Sequence, residues 1–279
     1  MVQDADGVMA DRGGMAGDRI AFVGHSTVLI ELDGVRLLTD PLLRDRVSHL
    51  RRQTGPIDLT LTTGVDAVLV SHLHRDHLDL ASLRALGRST PLLAPAGAGA
   101  WLRRRGFASV RELGVGESAD VGALSIAAVP ARHDGRRHPG GVRAQTLGFL
   151  VRGSRTVYFA GDTELFEGMA ELLPGAHAQI DFALLPVSGW GPRLGPGHMD
   201  PEDAARAAAL LAPCVAIPIH WGTLLPVGGA RRYRALLYDP PRLFARHVAR
   251  LAPSVEVRIL EPGQEATLTS PSQPSHDRP

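Results

Sequence analysis

The chain contains no lysine and no asparagine; all 30 of its basic residues are arginine. A GC-rich coding sequence accounts for that bias without a functional meaning. Cysteine is nearly absent too. Cys214 is the only one, so an internal disulfide is excluded and a reducing cytosol fits. Lying in an apolar run, it reads as a small core residue. Charge excess is missing: the formal net charge is +1, so no global field draws the chain to nucleic acid or an anionic membrane. No apolar run approaches the roughly 20 residues of a membrane span. The acidic, Gly-rich start lacks the apolar stretch of a signal peptide. These absences together predict a cytoplasmic protein without a stable membrane anchor. What is present, 44% hydrophobic and 21% charged residues over 279 positions, suits a globular chain with a real core.

The most informative stretch is Ser71 to Asp79, SHLHRDHLD. The apolar run Asp66 to Val70 before it reads as a buried strand, and Leu78 to Leu86 after it has helical spacing. His72, His74, Asp76 and His77 therefore sit on a turn between a strand end and a helix start. In extended chain, residues i and i+2 point the same way. His72 and His74 can close on one ion, and the turn can aim Asp76 and His77 at a second. Imidazole and carboxylate are ordinary zinc ligands. The plainer alternative is a polar loop that happens to hold three histidines; four ligand-type residues within six positions at a strand end argue against it.

Residues 1 to 17 lack periodicity and are expected to be a tail, 18 to 265 a single domain, and 266 to 279 a second tail. Strands are predicted at Ile20 to Val23, Thr27 to Leu32 and Val35 to Thr39, with a hairpin turn at Asp33-Gly34. Leu42 to Gly64 reads as a long structureless connection carrying four arginines. Further strands fall at 91–94, 110–113, 124–129, 146–151, 156–160, 181–187, 214–219 and 255–260, and helices at 97–105, 201–211 and 239–251. Asp200 is the expected cap of the second of these helices, with Pro201 at its first position. This order predicts an α/β protein whose sheets pack together with helices outside.

Seven ligand-type residues share one placement. His72, His74, Asp76, His77, His133, Asp162 and His220 each lie at or just beyond the C-terminal end of a predicted strand. His49, His177, His247 and His276 do not, and read as structural. Asp40 also ends a strand, where it is either a plain turn residue or a partner orienting a ligating imidazole.

The HLHRDH segment, His133, Gly161-Asp162-Thr163 and His220 resemble the metallo-β-lactamase superfamily of hydrolases. The stretches Gly24-His-Ser-Thr-Val-Leu29, Thr39-Asp-Pro41, His198-Met-Asp-Pro-Glu-Asp-Ala204 and His220-Trp-Gly-Thr223 are similar to one branch. That branch contains N-acylphosphatidylethanolamine-hydrolysing phospholipase D and L-ascorbate-6-phosphate lactonase. The resemblance implies a four-layer αβ/βα sandwich with two Zn²⁺ at the sheet edge; manganese and iron are compatible with the same ligands. His72, His74 and His133 would hold the first metal and Asp76, His77 and His220 the second. Asp162 would bridge them, Asp40 and His25 would orient ligands, and His198 would face the substrate. The phospholipase has a longer, membrane-adapted entrance, and the short N-terminal segment here has no apolar anchor, which disfavours a phospholipid substrate.

The implied chemistry is hydrolysis by a hydroxide shared between two divalent ions, acting on a phosphodiester or an anionic lactone or ester. Asp162 and His198 are the catalytic candidates. His198 either donates a proton or hydrogen bond to the developing anion, or bonds its own loop backbone. Trp190, Arg193 and Trp221 are expected at the substrate entrance. Arg136, Arg137 and Arg193 suggest a small anionic substrate, although arginine is the chain's only basic residue. Two other classes compete: an iron-dependent redox enzyme on the same fold, and a non-catalytic metal-binding protein. Oxygen-reducing relatives usually carry an appended flavin domain, for which no residues remain.

Overall fold

The computed structural model describes residues 17–172, 179–189 and 194–268. Its first half runs β1 (Arg19–Gly24), β2 (Thr27–Leu32), β3 (Val35–Thr39), β4 (Arg46–Val47), β5 (Leu50–Arg52), β6 (Ala67–Leu69), α1 (Leu80–Leu86), β7 (Leu92–Pro95), α2 (Gly99–Arg103) and β8 (Val110–Leu113). The second half begins with β9 (Ser118–Val121), β10 (Leu124–Pro130), β11 (Leu147–Arg152), β12 (Thr156–Phe159) and β13 (Phe182–Pro186). It continues with α3 (Pro201–Leu211), β14 (Val215–Ile219), β15 (Leu224–Pro226), α4 (Asp239–Leu251), β16 (Glu256–Val257) and β17 (Glu265–Thr267).

Two seven-stranded sheets form, in the orders β17-β1-β2-β3-β6-β7-β8 and β16-β14-β13-β12-β11-β10-β9. Their inner faces meet in one core. The period of two shows along each strand. Ile20, Phe22, Val28, Ile30, Leu37 and Leu69 enter the central cluster with Ile126, Phe149 and Phe159 of the second sheet. Ala21, Val23, Leu29 and Leu38 alternate onto the opposite face. Val68 and Val70 meet Leu83, Trp101 and Leu102 of the helical segments that cover the first sheet. Ala204, Ala208, Phe244 and Val248 of α3 and α4 join the central cluster. The result is the expected αβ/βα sandwich.

Helix boundaries follow local chemistry. The Asp200 carboxylate accepts from the Glu202 and Asp203 amides and Pro201 opens α3, as expected. Asp79 caps α1 in the same way, accepting from the Ser82 amide. Asp33 and Gly34 carry φ of 50° and 76°, the left-handed pair that a two-residue hairpin turn requires.

Four expectations are corrected. Residues 42–64 are not structureless: β4 and β5 form a hairpin, and β5 pairs with β15 through Leu224↔Arg52 and Pro226↔Leu50. Strands of two or three residues are too short to show a period, and their partner is remote in sequence. Residues 266 and 267 belong to the first sheet and not to a tail, because Ala266 and Thr267 pair with Ile20 and Arg19. The last strand of the second sheet shrinks from 255–260 to Glu256–Val257. The helix read over 97–105 contracts to Gly99–Arg103.

Candidate metal centre

Loops at the C-terminal ends of β1, β3, β6, β10, β12 and β14 meet at one sheet edge. Three of them place a non-glycine residue in the left-handed region: His25 (φ 58°), Asp40 (φ 34°) and His220 (φ 62°). Such backbone is costly for these residues and clusters at functional sites. Gly161, at φ +60°, brings β12 close: a Cβ there would lie 2.6 Å from Ser71 Cβ and 3.0 Å from the Leu147 carbonyl oxygen. Only glycine lets Asp162 sit beside the Ser71–His77 loop.

The ring nitrogens converge in two groups. His74 Nδ1 lies 3.1 Å from His72 Nε2 and 2.9 Å from His133 Nε2. On the other side, His77 Nε2 lies 3.2 Å from His220 Nε2. Asp76 Oδ2 is 3.9 Å from His77 Nε2 and 3.0 Å from His25 Nε2. Asp162 stands between the groups. Its Oδ2 is 3.2 Å from His77 Nε2 and 4.0 Å from His133 Nε2, and its Oδ1 is 3.3 Å from His220 Nε2.

Four of the rings are oriented from behind. His133 Nδ1 donates to the Gly197 carbonyl at 2.8 Å and His220 Nδ1 to the Ser188 carbonyl at 2.6 Å. His77 Nδ1 donates to Asp40 Oδ2 at 2.8 Å, and His72 Nδ1 contacts Ser71 Oγ at 2.9 Å. Ser71 in turn donates its hydroxyl and its amide to Asp40, at 2.5 and 2.7 Å. With Nδ1 protonated, neutral His72, His133 and His220 turn Nε2 lone pairs inward, while His74 presents its Nδ1 to the Nε2 atoms of His72 and His133. Lone pairs do not hydrogen-bond each other, and a cation between them resolves the conflict. Tetrahedral zinc with bonds of 2.0–2.1 Å spaces its ligand atoms by about 3.3 Å, close to the separations observed. Asp162 Oδ1 is buried without a hydrogen-bond partner, as a ligand atom would be. The residues present therefore fit divalent metal.

Electrostatics agree. Burial pushes His133 down to about 4 and His220 to about 3. Burial, with His77 and His133 nearby, holds His72 well below the usual histidine range. These rings are neutral and able to ligate at neutral pH. Asp162 resists the upward push of burial because His220 and His77 hold it well below the carboxylate range. His77 is the exception: burial opposes its charge, yet Asp162 and Asp40 raise it well above the ordinary value.

A pH prediction follows for the metal-free protein. The folded pKa values of His133 and His220 lie below the unfolded 6.5, so the unfolded chain binds more protons as pH falls from about 6.5 toward 4. Their stabilisation is full above 6.5 and is lost on acidification, with about 3 kcal/mol from His133 alone. His77 works in the opposite sense, gaining as pH falls, but it is one ring against several. The urea midpoint of chelator-treated protein should drop steeply between pH 7 and pH 4.5, and metal should flatten the drop.

These distances bring together every ligand candidate read from the sequence. The β-lactamase superfamily domain family matches residues 35–221. The chain belongs to the metallo-β-lactamase superfamily of metal-dependent hydrolases. It is 34% identical over 253 residues to a UPF0173 metal-dependent hydrolase of Methanopyrus kandleri, covering 88% of this chain and 98% of that one. It is 30% identical over 234 residues to N-acyl-phosphatidylethanolamine-hydrolyzing phospholipase D 1 of Caenorhabditis elegans, covering 76% of this chain and 65% of the relative. Mycobacterium tuberculosis proteins share 36% identity over 219 residues, 73% of this chain, and the match spans only 58% of their length. The structure of Igni18, a metallo hydrolase of Ignicoccus hospitalis, superposes with TM-score 0.68 at 28% identity, covering 89% of this chain and 97% of that one.

Other members of this superfamily site depart from the sequence reading. His25, read as orienting a ligand, stands with its Nε2 3.0 Å from Asp76 Oδ2 and also offers a further possible ligand atom to the Asp76, His77 and His220 cluster. It too follows a strand end, the signal that found the other ligands. Trp221 does not reach the entrance. It is buried, donates Nε1 to the Pro218 carbonyl at 2.8 Å and stacks on Phe22. Arg137 is spent inside the structure, donating to the Leu73 and Leu78 carbonyls at 2.9 and 3.0 Å. Arg136 is exposed, its amide bonded to Asp134. Trp190, Arg193, His177 and His276 lie outside the described residues. His49, read as structural, lines a cleft of about 280 Å³ whose other walls include His74, Asp76, Asp162 and His198. No local signal could have found it, because the β4–β5 hairpin is placed by β15. Among the described residues, no helix is long and apolar enough to cross a membrane.

Proposed function

We propose that the chain is a dinuclear zinc hydrolase of phosphodiesters or of anionic lactones or esters. The observation that carries this reading is the convergence of two ligand groups on the buried Asp162 carboxylate. His72, His74 and His133 would hold one metal, Asp76, His77 and His220 the other, and Asp162 would touch both. Bound there, two divalent cations would polarise the bond to be cleaved and lower the pKa of water to about 7.

The chain's own groups supply orientation and proton handling. His25 holds Asp76 at 3.0 Å, and Asp40 fixes a ring in each ligand group. His198 Nδ1 bonds the Gly195 carbonyl at 3.1 Å, and its Nε2 stands 3.6 Å from Asp162 Oδ2 at the cleft. A protonated His198 therefore presents an Nε2 proton toward a leaving oxygen. The backbone bond supports the loop-bonding alternative and, by aiming the ring, is compatible with the proton-donating one. His198→Ala should lower kcat about 100-fold or more, with metal content unchanged. Loss of metal instead would make it a ligand.

The deciding experiment is a substrate panel of phosphodiesters, phosphomonoesters, lactones and β-lactams, run with zinc and with manganese on protein whose metal content is measured as purified. Cleavage of a phosphodiester or charged lactone, abolished by chelation and restored by zinc, is the expected result. A coloured, iron-rich protein with no hydrolysis would overturn the reading in favour of redox chemistry. The protein is read as acting in the cytoplasm on a small molecule.

A further inference from the structure

The cleft over the metal centre has one wall built from the metal loop and another from the β4–β5 hairpin. The hairpin is anchored by its apolar residues. Val47 and Leu50 are buried with Leu42 and Leu224, and the strand pairing to β15 ties them down. Ser48 takes the left-handed turn position at φ 52°, and Ser48 and His49 are left exposed at the tip. Both tip residues line the cleft.

Arg75 lies on the same cleft. It sits in the chain between His74 and Asp76, so its backbone is held by the two ligand groups on either side. It is exposed and forms no ion pair with a described residue. Its charge is not cancelled by its neighbours. Arg137 and Arg105 both pack on the Trp101 ring, and Arg137 is pushed down to about 10 by burial and by the charges of Arg75 and Arg105. Arg75, Arg105 and Arg137 therefore lie close enough to repel one another, with Asp79 partly offsetting them. A guanidinium with free donors at a cleft wall matches a carboxylate or phosphate in two-point geometry.

We propose that Arg75, assisted by His49 on the hairpin, is the substrate-anion site of this enzyme: it holds a carboxylate or phosphate arm of the substrate while the bond to be cleaved lies over Asp162 and His198. This rests on the hydrolase reading above. It replaces Arg136 and Arg137 as recognition residues, because one is turned to the surface and the other is half-buried with its guanidinium bonded to the Leu73 and Leu78 carbonyls. The hairpin, fixed by its buried Val47 and Leu50, sets the distance between arm and scissile bond, so substrate length is read as well as charge.

The test uses three lactones that share one ring and differ in a phosphate, carboxylate or hydroxymethyl arm. They are assayed with the zinc-loaded full chain as wild type, Arg75→Gln, Arg75→Lys, His49→Ala and, as a control, Arg206→Gln on the exposed face of α3. Arg75→Gln should raise KM for the charged lactones about tenfold, with kcat and metal content held and the neutral lactone changed less than about twofold. Arg75→Lys should recover only part of the loss, because it keeps the charge but not the two-point geometry, and His49→Ala should cost about threefold on the charged pair. A larger effect on the phosphate arm than on the carboxylate arm names the natural group. Equal effects on charged and neutral lactones, or no effect, overturn the proposal. If wild type cleaves none of the three, the lactonase reading fails separately. Titration calorimetry with the phosphate-armed lactone then decides: binding about tenfold weaker in Arg75→Gln supports the anion site, and unchanged or absent binding refutes it.

Discussion

Asp162→Asn should cost the protein bound metal and lower turnover by more than the 10- to 100-fold typical of losing a partner behind a ligand, that is, more than about a hundredfold. The side chain keeps its shape, so the effect isolates its charge. Asp162 is 3% exposed and is surrounded by ring nitrogens of His77, His220, His133 and His198. An amide would remove the one negative charge both ligand groups share and put an N–H among atoms that need a cation. The fold should survive, because β12 keeps its register with β11 and β13 through Val157, Tyr158 and Phe159. Elemental analysis beside a thermal melt measures both. A variant with wild-type metal content and turnover would show that Asp162 does not join the two groups.

Asp40→Asn is expected to be the next most damaging change, although Asp40 touches none of the converging Nε2 atoms. Its fully buried carboxylate accepts from the Ser71 amide, the Ser71 hydroxyl and His77 Nδ1. Ser71 Oγ is then left to accept from His72. One carboxylate thus sets the orientation of a ring in each group. An asparagine offers one oxygen where two are used, and its NH₂ would face a donor. Metal affinity should fall 10- to 100-fold, about the range for such partners, and stability by about 1–3 kcal/mol for a buried donor left unpaired. Competition against a coloured chelator reads the first quantity and urea denaturation the second. Affinity equal to wild type would reduce Asp40 to a turn residue.

The two readings of Asp40 show where sequence reasoning stops. Its place at the end of β3 was legible from Val35 to Thr39, but a turn aspartate and an orienting aspartate look alike along the chain. They differ only by whether Ser71 and His77 stand within hydrogen-bond reach, and the parallel pairing of β3 with β6 puts them there. Trp221 and Arg137 failed for the same reason. Proximity to a ligand in sequence suggested the entrance, but side chains on either side of a strand end leave in opposite directions. Trp221 turned into the core against Phe22, and Arg137 turned onto Trp101.

What the sequence determined by itself is local in origin. The apolar runs Ile20 to Val23 and Thr27 to Leu32 make strands, Asp33-Gly34 makes a turn, and Asp200-Pro201 starts a helix. His72 and His74 share a side because they are two apart in extended chain. The resemblance carried by the HLHRDH segment, His133, Gly161-Asp162-Thr163 and His220 also identified the superfamily. Tertiary structure alone decided which groups meet. It drew His25 onto Asp76, set Asp162 between the two ligand groups, and laid the β4–β5 hairpin with His49 over the cleft. Those contacts join residues as far apart as Arg52 and Leu224, and their energy comes from burying faces of separate sheets against one another. No window of neighbouring residues contains that information, because the partner that completes each buried face lies elsewhere in the chain.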